Sequence, residues 1–272
     1  APIPSQAVEF SIISEGTIPE NDPIATSLRN VSRPEDKVRL YRLPKADLGH
    51  PIKRNQFLTR LSRSKIMIPV GQAATEFISS EMEETPIYFV GATGPRGSDF
   101  SSPYVAGILA SNPEEVLHVI REFGWKRVGL VYTPGYEPLV SMIQADGNSQ
   151  GMAIVRGKIS NRREIASTLQ GLIAQTDLLW ILGDPLLARG AGFELIIQLS
   201  RSHQIPVIGT SLWEVERGAL FCWEPDPEGL ARQASSSLRD ILTAGLQFPS
   251  PRIRPSASRG EFVFHPRLMT KW

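Results

Sequence analysis

The residues of this chain that could do covalent or acid–base chemistry are four histidines, one cysteine and a scatter of carboxylates. His50, His118, His203 and His265 lie far apart in sequence, and no spacing among them resembles a metal site. Cys222 stands between Phe221 and Trp223, so it reads as a small buried apolar residue and not as a nucleophile. A single cysteine also excludes an intrachain disulfide and a cysteine zinc site. Gly91, Gly94 and Gly97 follow an apolar run, but their spacing fits neither a dinucleotide fingerprint nor a phosphate loop. With no nucleophile–base constellation, the informative residues are those just beyond the apolar runs. They are Glu15, Gly71, Gln72, Ala73, Thr93, Tyr136, Asp184, Thr210, Ser211, Trp213 and Glu214. Small hydroxyls, acids and aromatic plates suit binding better than turnover.

Positioning those residues is the work of short apolar strands alternating with helices. Residues 7–13 read as a first strand, 37–43 as an edge strand, and 65–70 and 86–90 as buried strands. A helix is expected near 23–31, a basic one over 50–64 and another over 73–82. The basic helix reads as a solvated face in preference to a nucleic-acid patch. Asn112-Pro113-Glu114-Glu115 is a strong helix start, with a capping residue, a proline and two acids at the positive end of the dipole. Strands follow at 126–132, 152–157, 178–182, 205–209 and 218–223. Helices are expected from 138 to 151, over 161–175, from 185 to about 203, and over 229–244. The alternation implies an α/β fold with two doubly wound, Rossmann-like lobes, each a parallel sheet covered on both faces. In such sheets ligands sit beyond the carboxyl ends of the strands.

Composition narrows the function classes. The chain has 272 residues, 41% hydrophobic and 21% charged, an ordinary globular balance. Lysine and arginine total 29 against 28 acids, so the global basic excess of a nucleic-acid binder is missing. No apolar run is long enough to span a membrane. The chain begins Ala1-Pro2-Ile3-Pro4 without a methionine or an apolar leader, so a signal segment is expected to have been removed.

Three stretches carry a family resemblance: KIMIPVGQAATEFISSEMEETPIYFVGATGP, VAGILASNPEEVLHVIREFGWKRVGLVYTPGYEP, and LLWILGDPLL followed by IPVIGTSLWEVERGALFCWEPDPEGL. They resemble the ABC-transporter substrate-binding proteins typified by tryptophan-binding lipoproteins, of the type I periplasmic-binding-protein fold. The resemblance covers residues 65–272 well and 7–64 loosely. It implies a ligand cleft between two lobes, with residues 1–102 plus 226–248 in lobe 1 and 103–225 plus 249–272 in lobe 2. Crossings are expected near 101–104, 224–226 and 247–251. It also implies an extracytoplasmic or periplasmic monomer that binds a small solute, an amino acid or related compound, and delivers it to an ABC transporter permease. No catalysis, cofactor, metal or nucleic acid is expected; membrane association is peripheral or through a lipid anchor.

On that basis a solute carboxylate is expected at the helix start Gly71 to Ala74 and at Thr93. A solute ammonium is expected at Asp184, pointing into the cleft unless it merely caps a helix starting near Leu186, or at Glu214, with Tyr136 and Trp213 as the plates of a sandwich. Thr93-Gly94-Pro95 stands where the family usually has Thr-Asp-Pro. That departure motivates the alternative of a degenerate, non-transport ligand-sensing or interaction module of the same fold. An α/β enzyme ranks below both.

Overall fold

Nine helices and twelve strands account for most of the described residues of the structure, a computed structural model. Described are residues 7–15, 22–94, 102–184, 186–188, 190–258 and 260–269. The chain divides into two compact units, Ala1–Ala110 with Asp226–Arg259 and Ser111–Pro225 with Gly260–Trp272. The first unit contains β1 (Glu9–Ser14), α1 (Pro23–Asn30), β2 (Lys37–Arg42), α2 (Pro51–Leu61), β3 (Ile66–Val70), α3 (Gln72–Glu81), β4 (Ile87–Ala92) and β5 (Val105–Leu109). The second contains α4 (Pro113–Glu122), β6 (Arg127–Tyr132), α5 (Glu137–Ser149), β7 (Ala153–Lys158), α6 (Ile165–Ile173), β8 (Leu178–Ile181), α7 (Gly190–Ser202), β9 (Val207–Ile208), α8 (Leu212–Glu216) and β10 (Phe221–Pro225). The chain then returns to the first unit with α9 (Pro227–Thr243) and β11 (Ile253–Arg254), and to the second with β12 (Gly260–Phe264).

Every residue of β3, β5 and β8 is buried, as a parallel strand covered on both faces requires. The first sheet runs β11-β5-β4-β3-β1-β2 and the second β12-β10-β9-β8-β6-β7. All pairings are parallel except β10 with β12. Three helices start on the same device: Asp22, Asn112 and Asp226 accept free N–H groups of the first turn, each with proline next in line. Alternate residues of the first sheet, among them Phe10, Ile12, Ile66 and Ile68, pack in one buried cluster with Leu230, Leu238 and Ile241 of α9. Each such side chain contributes about 1.5–3 kcal/mol of burial. In the second unit Val131, Leu179 and Ile181 pack with Leu169 of α6 and Phe193 and Ile196 of α7.

The structure corrects the sequence reading in several places. Val105–Leu109 is a strand of the first sheet, paired with β4, so 103–110 belongs to the first unit and not the second. Gly107 lets β5 lie close: a Cβ there would stand 2.3 Å from the Phe89 carbonyl oxygen. Ile253–Arg254 pairs with β5, which holds 249–258 in the first unit as well. The outer junctions therefore fall at 110/111 and 259/260, downstream of the expected crossings, and the middle one at 225/226. The helix expected from 185 begins only at Gly190, after a turn at 186–188. That expected over 161–175 opens with a 3-10 turn, Arg162–Glu164.

Candidate functional site

At the carboxyl ends of the first sheet three loops are tied to one another. Gly71 leads from β3 into α3 with φ +91°, a conformation that favours glycine. It also leaves room for Glu15, which follows β1; a Cβ on Gly71 would lie 2.5 Å from the Glu15 carboxyl carbon. Glu15 Oε2 accepts the Ala73 N–H at 2.7 Å. The anion position at the start of α3, expected to receive a solute carboxylate, is thus occupied by the chain's own carboxylate. Lys45 Nζ lies 3.9 Å from the same Oε2. Gln72 binds the third loop: its Oε1 accepts from Thr93 N at 2.9 Å, Thr93 Oγ1 at 3.1 Å and Gly94 N at 3.1 Å. Its Nε2 donates to the Gly94 carbonyl at 2.8 Å and to Glu76 at 2.7 Å. Thr93 is therefore bound to Gln72, not presented as an open anion contact. The rest of this connection, including Arg96 and Gly97, lies outside the described residues.

The second sheet braces its loops with buried acids. Asp184, after β8, is 1% exposed. Its Oδ2 accepts from Thr133 N at 2.8 Å and Thr133 Oγ1 at 2.6 Å, and its Oδ1 from Leu186 N at 3.0 Å. The expectation that Asp184 points outward to meet an ammonium is overturned. Both oxygens serve the turn and the loop after β6, because the Asp184 backbone folds back to receive Leu187 and Ala188 N–H. Tyr136 is buried and its hydroxyl donates to the Gly183 carbonyl at 3.0 Å, which ties the same two loops. Glu214 is also 1% exposed. With Ser211 it forms a capping box at the start of α8. Its Oε2 accepts from Thr210 N, from Thr210 Oγ1 at 3.2 Å and from Ser211 N at 3.0 Å. Burial pushes its carboxyl above the usual range, against those hydrogen bonds, which pull it down. Trp213 packs on Phe193, with the Arg217 guanidinium 4.1 Å from its ring centroid. Thr210, Ser211 and Glu214 are therefore structural parts of this rim, and Trp213 is half-buried beside them.

Apart from Glu15, the charged groups that remain half-exposed at the strand ends are ones the sequence reading missed. Tyr132 ends β6 and Lys158 ends β7 in register with it, two residues beyond Arg156 on the same strand face. Arg156 Nε donates to the Tyr132 hydroxyl at 3.1 Å, and that hydroxyl donates to Glu137 Oε2 at 3.1 Å. Arg156 also pairs with Glu137, and Lys158 Nζ lies 3.4 Å from Glu137 Oε2. The signal was the spacing of Arg156 and Lys158 across one residue of a strand. In the first unit, Glu15 and Lys45 hold a similar position after β1 and β2.

Two features bear on catalysis. The sequence reads as lacking a Gly-x-Ser-x-Gly elbow, yet Gly147-Asn148-Ser149-Gln150-Gly151 spells that pattern. It lies at the end of α5, not on a strand-to-helix turn, and Ser149 Oγ donates back to the Asp146 carbonyl at 2.7 Å. Cys222 is fully buried, and burial, with Glu224 and Glu214 nearby, pushes its thiol up to about 12. Neither group is an activated nucleophile.

Comparison with known proteins follows the same line. A family model described as ABC transporter substrate binding protein matches residues 37–246. No curated protein matches the chain by sequence. Among solved structures, an ABC domain in complex with L-Trp from Streptococcus pneumonia is 16% identical with TM-score 0.59, covering 96% of this chain and 94% of that one. A conserved domain protein from Vibrio cholerae is 17% identical with TM-score 0.58, covering 95% and 92%. A ligand-free, open substrate binding protein with adhesive properties from Clostridium difficile is 16% identical with TM-score 0.57, covering 97% and 94%. At these identities the likeness is one of fold, the two-unit arrangement of α/β sheets.

Proposed function

Because the chain belongs to the ABC transporter substrate binding protein family and has the type I periplasmic-binding-protein fold, we propose that it is the extracytoplasmic solute-binding component of an ABC importer. It binds a small solute without transforming it and hands it to a membrane permease. The solute class we assign is an amino acid or a closely related zwitterion. One observation carries this assignment: each unit keeps an acid beside a cation, half-exposed, at the carboxyl ends of its first two strands. These are Glu15 with Lys45, and Glu137 with Arg156 and Lys158. A zwitterion needs an acid for its ammonium and a cation for its carboxylate. The acids first expected in this role, Asp184 and Glu214, are consumed by backbone donors and serve to hold the rim rigid. Rigid loops spare the ordering cost of binding. A likeness in fold to a protein whose structure holds L-Trp is consistent with this class.

The test is a thermal-shift and calorimetric titration of the intact protein against the standard amino acids. A solute that binds only the folded state raises the melting temperature. Glu15→Gln should then weaken binding about thirtyfold or more, the loss expected for a desolvated charge partner. If no amino acid shifts the melting temperature, the assigned class is wrong. A second reading, a non-transport sensing or interaction module, gains support from the internal use of Asp184 and Glu214. It predicts a flat titration with all small solutes.

A further inference from the structure

Charge is spread unevenly along this chain. Its net charge is +1, yet residues 37–65 hold nine lysines and arginines and a single acid, Asp47. No acid occurs from residue 48 to residue 75. Some of these cations are paired: Arg39 with Glu9 at 2.8 Å, Lys53 with Asp47 at 2.6 Å, Arg54 with Glu81. Lys37, Arg60, Arg63 and Lys65 have no ion partner among the described residues, and all four are exposed.

The fold gathers these four on one side of the first unit. β2 is the edge strand of its sheet. Its alternate residues Lys37, Arg39 and Tyr41 face α2, because the Tyr41 ring meets Phe57 of α2 edge-on at 5.9 Å. Lys37 lies opposite Glu9 in the parallel register, and Lys65 N–H donates to the Glu9 carbonyl, so both lysines flank one acid. Arg60 lies over the Phe57 ring at 5.9 Å, and its carbonyl accepts the Tyr41 hydroxyl. Helical spacing then sets Ile52, Gln56, Thr59 and Arg63 on one outward line of α2 and its C-terminal turn. Ile52 is 64% exposed.

Edge protection explains a lysine on β2. It does not explain Arg60, Arg63 and Lys65, which lie beyond the strand. We propose that this face, the β2 edge with α2, docks on an anionic phospholipid surface. Such a surface demands positive charge density and no matching shape, and this face is acid-poor and has an exposed apolar side chain, Ile52, at the far end of the helix. The family supplies the setting, since its transporter lies in a membrane.

The experiment uses the whole chain with vesicles of phosphatidylglycerol mixed with phosphatidylcholine, and with phosphatidylcholine alone, read by co-sedimentation. Binding is expected to the first vesicles only, and to be lost in about 1 M salt, where screening acts within about 3 Å. Each cation near an anionic surface contributes about fivefold to partitioning. The triple variant Arg60→Gln, Arg63→Gln, Lys65→Gln should therefore bind about a hundredfold more weakly, with its melting temperature and solute binding unchanged. Ile52→Ser, on the same helix, should weaken binding without altering the salt dependence. The proposal fails if the protein ignores phosphatidylglycerol, if the folded triple variant binds like the wild type, or if duplex DNA is bound while vesicles are not.

Discussion

Strand for strand the two sheets follow one winding. The first strand (β1, β6) has the edge strand (β2, β7) on one side and the third (β3, β8) on the other; the fourth and fifth continue outward, and a late strand closes the far side. Yet they brace their carboxyl ends differently. The first unit uses a neutral amide, Gln72, and a half-exposed acid, Glu15. The second uses two acids sealed from solvent, Asp184 and Glu214. A buried carboxylate is costly to desolvate and is retained only when several donors meet it. Each of these two meets three. The same winding thus permits a rim that is soft to substitution and one that is not.

Asp184→Ala tests that difference most severely. It strands the Thr133 and Leu186 N–H groups in a buried turn, and should cost about 3 kcal/mol of unfolding free energy, from the loss of charged hydrogen bonds and the orphaned donors. Denaturant melts would measure it. Read from the sequence, this substitution should strike solute affinity far more than stability; the buried geometry predicts the reverse. A stable Asp184→Ala protein with weakened binding would restore the first view.

The late strands offer the next contrast. β11 is a two-residue parallel addition, whereas β12 runs antiparallel along all of β10. Gly260 opens β12 against Trp223, and a Cβ there would stand 2.1 Å from the indole ring. Gly260→Ala should destabilise the protein by about 2 kcal/mol through overpacking. Near-ultraviolet circular dichroism should report the displaced tryptophan; an unchanged melt and spectrum would mean that β12 yields freely.

In the soft rim the effect is smaller. Gln72→Ala removes the acceptor for Thr93 and Gly94 N–H; Thr93 is half-buried, where water can replace the lost bond, while Gly94 is buried. A cost of about 1 kcal/mol is expected, with faster hydrogen exchange at Thr93 and Gly94. A loss as large as that of Asp184→Ala would erase the distinction between the rims.

What could be read from residues alone follows from the same physics. The strands β3 and β8 announce themselves because parallel strands are apolar throughout, and α4 because its cap, proline and acids act locally. Val105–Leu109 is just as apolar, but its glycine and alanine weaken the strand signal, and only pairing with β4 marks it as the fifth strand. The two-residue β11 has no local signature at all. The strand-end residues were legible as a set, since topology places them there. Their roles were not: whether Asp184 faces a solute or Thr133 depends on a contact 51 positions away. The Arg156–Lys158 pair was overlooked because two cations on a strand read as an ordinary solvated face.

Glu214 should show the smallest effect and the most specific one. Its carboxyl lies above the usual range because burial disfavours the charge. A raised folded value means that the folded state holds its proton in a window where the unfolded chain has lost it. Stability from this group is therefore full at low pH and declines as pH rises through the folded value. Asp36 and Asp177 act oppositely. Burial alone would raise them, but hydrogen bonds from Arg33 and Arg127 and from backbone N–H groups outweigh it and hold both below the ordinary value. Their contribution is lost as pH falls through the folded value. Glu214→Gln keeps the capping box with Ser211 and removes only the charge. Its stability near neutral pH should stay within about 1 kcal/mol of the parent. Its stability should no longer decline with pH above the carboxylate range, while the acid-side loss from Asp36 and Asp177 persists. Urea melts across pH separate the two limbs, and an unaltered upper limb in Glu214→Gln would show that Glu214 does not titrate there.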